Sequence, residues 1–149
     1  GPGRHRHQRP DPGLVANLPI LLRQASAALD RDVRRSVGAR HGLTATEVDV
    51  IRRLGVRRSS GTQLCEYLRA TPSQVSRLVT RLEDRDLVMR VEVWQDQRLR
   101  RAELTDAGVD LAAELDDDLE QLTVHWADEV DPDALDVVLL ALAVLADLP

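Results

Sequence analysis

The chain has 149 residues, 43% of them hydrophobic, which suffices for one compact domain and falls short of two independent ones; Tyr67, Trp94 and Trp126 are its only aromatics, so Leu, Val and Ala must build the core, and that favours helices. A single cysteine, Cys65, excludes an internal disulfide framework, and with neither a charged-then-apolar leader nor an apolar run of about 18 residues the sequence reads as cytoplasmic, with no membrane partner. The net charge of −5 argues weakly against a nucleic-acid partner, until it is divided along the chain.

Gly1-Pro2 reads as the remnant of a cleaved tag, and the stretch to Gly13 mixes Arg, His, Pro and Gln without periodicity, so residues 1–13 are expected to form a disordered leader. His5 and His7 within it would bind metal only adventitiously. Apolar residues then recur at Leu14, Leu18, Leu21, Leu22, Ala25, Leu29, Val33 and Val37, which is helical spacing. Pro19 either starts the regular part or kinks it. Gly42 stops this helix.

Thr44-Ala45-Thr46-Glu47 fits the capping box, in which a hydroxyl and a carboxylate satisfy orphan helix amides reciprocally, ahead of the apolar face Val48, Ile51 and Leu54. The device repeats at Ser60-Gly61-Thr62-Gln63, before Leu64, Cys65 and Leu68. It appears again at Thr71-Pro72-Ser73-Gln74, with Pro72 at the favoured first helical position. Helices are therefore predicted to start near residues 45, 61 and 72.

After Leu87 the period changes. Met89, Val91 and Val93 alternate with Arg90 and Glu92, Trp94 to Leu99 reads as a polar turn, and Ala102 and Leu104 alternate with Arg101 and Glu103: a β-hairpin. Thr105 is a good N-cap for a helix through Val109, Leu111, Ala112, Leu115, Leu119 and Leu122 towards Trp126, and Asp131-Pro132 opens the last one. From Val137 to Ala146 every residue is apolar. This segment has no polar face and is too short to span a bilayer, so a partner subunit is the simplest way to cover it.

The charge division follows the same plan. Residues 1–51 hold 8 Arg against 5 acidic residues, 52–101 hold 12 Arg against 6, and 102–149 hold 14 acidic residues and no basic one. With no Lys anywhere, the middle third is a +6 block of guanidiniums, suited to phosphate and guanine. The plainer alternative is a mixed-charge solvated face with Arg used in place of Lys. Two short capped helices separated by Arg69 and Ala70, then a hairpin, with the basic block confined to this region, describe a helix-turn-helix with a wing, and the duplex-reading surface is placed between Ser59 and Arg101.

In the second helix of the pair, Val75, Leu78, Val79 and Leu82 form one apolar face, leaving Ser73, Gln74, Ser76, Arg77, Thr80 and Arg81 outside. Arg can pair bidentately with guanine and Gln with adenine, and short hydroxyls permit close approach. An ordinary solvent face explains the polarity but not the absence of carboxylates from Pro72 to Leu82. Gln74 either caps its own helix or reads a base. Thr62 and Gln63, at the start of the preceding helix, are candidates for phosphate contact.

The sequence resembles the MarR family of bacterial regulators from about Leu21 to the end. The most specific stretches are TPSQVSRLVTRLEDRDLV and DQRLRRAELTDAG, with GLTATEVDVIRRL similar to the family's second helix. The family's wing motif, Asp-x-Arg and then Leu-Thr-x-x-Gly, is met by Asp96, Arg98, Leu104, Thr105 and Gly108. The resemblance implies a mainly α (α+β) winged helix-turn-helix fold: a single domain over 14–149, with dimerisation helices at 14–40 and 106–149 around a DNA-binding region at 44–105. It further implies a triangular homodimer on double-stranded DNA, with Arg98 entering the minor groove. Asp96 would orient a guanidinium, unless it and Arg98 are simply a surface pair.

The function expected is a sequence-specific regulator, a repressor on a pseudo-palindromic operator. No cofactor is expected, although relatives bind small phenolic or anionic effectors, for which Arg23 or Arg34 could supply a cation if neither is spent on a surface salt bridge. A winged helix that docks proteins without touching DNA is the alternative from another class; a metal- or redox-responsive regulator is the alternative within it. Cys65 reads as a small packing residue rather than a redox sensor, His41 and His125 as structural or exposed rather than ligands, and the acidic run Glu114 to Glu120 as a solvated face. No nucleophile and base pair, glycine-rich phosphate loop or metal-hydrolase spacing suggests an enzyme.

Overall fold

The computed structural model describes residues 9–93 and 96–149, with residues 96–99 described by their backbone alone. The leader histidines His5 and His7, and Trp94 at the expected turn, lie outside the described residues. A helical turn, α1 (Pro12–Val15), capped by the Asp11 carboxylate, precedes α2 (Leu18–Val33). Pro19 is the second residue of α2, where no intrahelical donor is lost, so it starts the helix rather than kinking it. The helix runs on through a π-helical turn at Arg34–Gly38 into α3 (Ala39–His41). Gly42 ends it at φ 67° and ψ 35°, the left-handed closure in which a Cβ would be unfavourable.

Next come α4 (Ala45–Val56), α5 (Gly61–Leu68) and α6 (Pro72–Asp84). Each begins with both halves of a capping box: Thr44 with Glu47, Ser60 with Gln63, Thr71 with Gln74. Their inward faces form one core, in which Val48, Ile51 and Leu54, then Leu64, then Val75, Leu78, Val79 and Leu82 meet Leu87, Val88, Ala102, Ala112 and Leu115. All of these are buried, so the apolar periodicity of each helix is the face it packs.

The strands β1 (Ser59–Ser60), β2 (Val88–Val93) and β3 (Asp96–Leu104) form an antiparallel sheet in the order β1-β3-β2. The sequence reading missed β1, because two serines carry no alternation; they are buried by pairing with Ala102 and Arg101. It also placed the hairpin turn too broadly. Asp96 to Leu99 belong to β3 rather than to a turn, with Asp96 opposite Val93 and the register slipping between Glu92 and Val93. A hairpin that leaves the core has no face to bury, so its outer residues show no apolar alternation that would distinguish strand from turn. The phase of β2 differs as well: Val88 is buried while Met89 is exposed.

The remaining helices are α7 (Asp106–Glu129) and α8 (Pro132–Ala146). Thr105 caps α7 by accepting from the Gly108 amide at 3.1 Å, and its own hydroxyl donates to the Asp86 carbonyl at 2.6 Å. A Cβ on Gly108 would overlap the Leu87 carbonyl oxygen, so α7 can lie this close to the start of β2 only with glycine there. Nothing in α2 or α8 is buried, and Leu140 is 72% exposed. No helix among the described residues is long and apolar enough to cross a membrane.

Candidate nucleic-acid interface

The helix-turn-helix is α5 and α6. Burying Val75, Leu78, Val79 and Leu82 turns Ser73, Gln74, Ser76, Arg77, Thr80 and Arg81 outward together, all six exposed and none a carboxylate. Two of the six have their side chains partly engaged. The Gln74 Oε1 accepts from the Thr71 amide at 3.0 Å, so its carbonyl is the cap and only its amide nitrogen is left to face a ligand. Thr80 Oγ1 accepts from Arg90 Nη2 at 3.2 Å. On α5, Thr62 is exposed, whereas Gln63 Oε1 is held by the Ser60 amide at 2.9 Å.

Arg90, a polar position in the alternation of β2, is half-buried and joins the wing to α6. Its guanidinium meets the Glu83 carboxylate, donates to the Ser76 carbonyl at 3.0 Å and reaches the Thr80 hydroxyl. Strand alternation carries no signal for such a contact, because the partners are on another element. The base of the wing is thereby fixed to the helix beside it. The backbones of Asp96 and Arg98 lie at the outer end of β3, and their side chains lie outside the described residues.

Two concavities flank α6. One, of about 490 Å³, is lined by Arg69, Arg77 and Arg81 with Thr44, Thr46 and Gln74. The other, of about 380 Å³, lies between α5, α6 and the sheet, with Arg90, Arg100 and Arg101 on its wall and Arg101 Nε buried without a hydrogen-bond partner among the described residues. Cys65 lines this second one and is half-buried against the core.

Several other arginines are spent on the fold. Arg53 stacks over the Tyr67 ring at 4.6 Å, a cation–π contact. Arg52 Nε meets Asp116 at 2.8 Å, and Arg40 Nη1 meets Asp118 at 2.8 Å. The acidic run on α7, expected to be a solvated face, is therefore partly a docking strip for arginines of the segments packed on it. Sequence charge could not show this, since each pair joins residues far apart in the chain. His41 joins the strip, with Nε2 3.1 Å from Asp118 and Nδ1 3.8 Å from Glu114. The two carboxylates meet different ring nitrogens, and among the described residues no three His, Cys, Asp or Glu side chains converge on a metal position. His125 is exposed.

Where α7 leaves the winged region, the Trp126 indole N–H donates to Asp32 at 3.1 Å. That bond, with a second from Arg35, holds the Asp32 carboxyl below the usual carboxylate range. Asp49 on α4 shifts the other way, raised by loss of hydration and by the nearby Asp30.

Capped α4, the α5–α6 pair, β2 and the start of β3 fall within residues 41–99, which match the model of the MarR family. Over these residues the chain is similar to the MarR family. Members of the MarR family are transcription regulators. No curated protein is significantly similar in sequence. Among solved structures, transcriptional regulator PA4135 is 25% identical over 95% of this chain and 99% of its own, with a TM-score of 0.80. BpsR of Bordetella bronchiseptica, whose DNA binding is regulated by 6-hydroxynicotinic acid, is 21% identical over 88% of this chain and 99% of its own, with a TM-score of 0.77. MepR of S. aureus, solved as a DNA complex, is 17% identical over 85% and 93%, with a TM-score of 0.74. The last two share the fold of this chain.

Proposed function

We propose that this chain is a homodimeric repressor that binds a pseudo-palindromic duplex operator, with α6 of each copy in a major groove about one helical turn apart and each wing in the flanking minor groove. The observation that carries the reading is the outward face of α6: Arg77 and Arg81 with Ser73, Gln74, Ser76 and Thr80, free of carboxylates and backed by a buried apolar face. Thr62 reaches the backbone at the start of α5, while Gln63 contributes through its helix-terminal amide, its side chain being a cap. At the outer end of the wing, Arg98 enters the minor groove and Asp96 orients it. The MepR–DNA complex, on the same fold, supports the DNA partner.

Homodimerisation is supported by the exposed apolar surfaces of the terminal helices, Leu14 and Leu21 at one end and Val137, Leu139, Leu140 and Val144 at the other. The domain then divides as its surfaces do, with 14–40 and 106–149 as dimerisation helices and 44–105 as the reading head. A small aromatic effector is supported by BpsR and by a cavity of about 520 Å³ with Val33, Leu119 and Trp126 on its walls. Its one cation among the described residues, Arg52, is already paired with Asp116, so an acid must displace that pair; neither Arg23 nor Arg34 lines this cavity.

The test is to select bound fragments from genomic DNA and measure operator affinity at physiological salt. Arg77→Ala relaxes base discrimination by about 1–3 kcal/mol at one position of each half-site. Arg98→Ala weakens binding uniformly across sequences. Equal binding by the wild type and both variants overturns the assignment.

A further inference from the structure

In the turn between α5 and α6, Arg69 holds φ 53° and ψ 44°. This is the left-handed region, where the Cβ of an L-residue crowds the following carbonyl oxygen and glycine is the default occupant. The turn is otherwise regular: the Arg69 amide bonds back to Glu66 at 3.4 Å and the Ala70 amide to Cys65 at 3.1 Å, a two-bond helix closure that glycine usually completes. Asp86 is the other non-glycine residue with positive φ among those described, and its short polar side chain tolerates the conformation. Arginine has no such excuse. Residues held in such sparsely populated conformations cost stability and cluster at functional sites.

No contact among the described residues requires this conformation of Arg69. The Arg69 side chain is exposed and makes no ion pair or hydrogen bond among the described residues, unlike Arg40, Arg52, Arg53, Arg85 and Arg90. It shares one concavity with Arg77 and Arg81 of α6, beside the hydroxyl-bearing Thr44 and Thr46 at the start of α4. Three arginines line this side of α6, two of them on the proposed reading face.

We infer that Arg69 is a further DNA-contacting residue, its guanidinium engaging a backbone phosphate next to the bases met by α6, and that the turn tolerates an unfavourable backbone to place it there. The inference rests on the DNA-binding reading above. Its signature is opposed effects of one substitution on stability and on binding.

The experiment compares the 149-residue wild type with Arg69→Gly and Arg69→Lys. Thermal unfolding is measured without DNA, and binding to the genomically selected operator and to a scrambled duplex is measured across a salt series. Arg69→Gly relieves the turn and raises Tm by about 2 °C. It weakens binding to both duplexes by a similar factor, about tenfold for a dimer in which two phosphates are no longer neutralised, and the slope of log affinity against log salt becomes shallower by about 0.9 for each guanidinium removed. Arg69→Lys retains the slope. The proposal is overturned if Arg69→Gly binds both duplexes with wild-type affinity and slope, or if it lowers Tm. If the wild type itself binds no duplex DNA, the underlying reading falls and this one with it; that failure appears in the wild-type arm, whereas failure of the Arg69 assignment alone appears only in the variant.

Discussion

Arg85, the residue closing α6, donates from Nη2 to the His41 carbonyl at 2.7 Å and from Nη1 to the Gly42 carbonyl at 3.0 Å. Those carbonyls end α3, and the His41 ring in turn meets Asp118 on α7. The far end of α6 is thus tied to α7 through the end of α3. Arg85 is exposed, so water competes for its bonds: Arg85→Ala is expected to lower the unfolding free energy by about 1 kcal/mol, read from the urea midpoint at unchanged m-value.

Gly108→Ala inserts a methyl group against the backbone carbonyl of Leu87, which cannot rotate away as a side chain would. The start of α7 must retreat from β2, opening the core around Ala112 and Leu115. Denaturant titration should show a loss of about 2–3 kcal/mol, well above an ordinary surface substitution.

Thr105 uses one hydroxyl twice, as acceptor from Gly108 and donor to Asp86. Thr105→Val removes both at constant shape and should cost about 1–2 kcal/mol, while Thr105→Ser should lie close to wild type. Equal stability of the two variants in the same titration would show that the cap contributes nothing.

Asp32 sets a pH dependence of known sign. Its carboxyl is held low first by the Trp126 N–H and then by Arg35. Its stabilising contribution is therefore present above its unfolded pKa of 3.8 and is lost as pH falls through the lower folded value. Trp126→Phe removes the largest cause. The melting temperature of this variant should fall below wild type at pH 7, with the part of the deficit due to Asp32 shrinking towards zero on acidification below its folded pKa; a deficit of constant size at every pH would assign the effect to packing alone.

Leu140 exposes most of its surface on α8, so Leu140→Asp should leave the isolated fold intact and act on association. In the proposed homodimer, two leucines that association would bury are replaced by charges, which should raise the dimer dissociation constant by about 100-fold or more, read by sedimentation velocity. Unchanged association would place the dimer interface away from α8.

The sequence by itself determined the helix starts, since a capping box is local: its partners are three residues apart, and the boxes at Thr44, Ser60 and Thr71 are all formed. It determined the buried face of α6 for the same reason, periodicity placing Val75, Leu78, Val79 and Leu82 together whatever surrounds them. It also carried the Leu-Thr-x-x-Gly motif, although not the cause of its glycine. Tertiary structure alone decided where side chains reach across elements: Gln74 and Gln63 as caps are local outcomes, but Arg90 on Ser76 and Thr80, Arg52 on Asp116, Gly108 against Leu87 and the pairing of β1 are not. Each joins elements whose relative placement follows from packing the whole core, and a charge pattern read along the chain does not say which charges will be neutralised by contact. The consequence is functional. Twelve arginines stand between residues 52 and 101, and only the fold separates those bound into the scaffold, such as Arg52, Arg53, Arg85 and Arg90, from Arg69, Arg77 and Arg81, which face outward around α6.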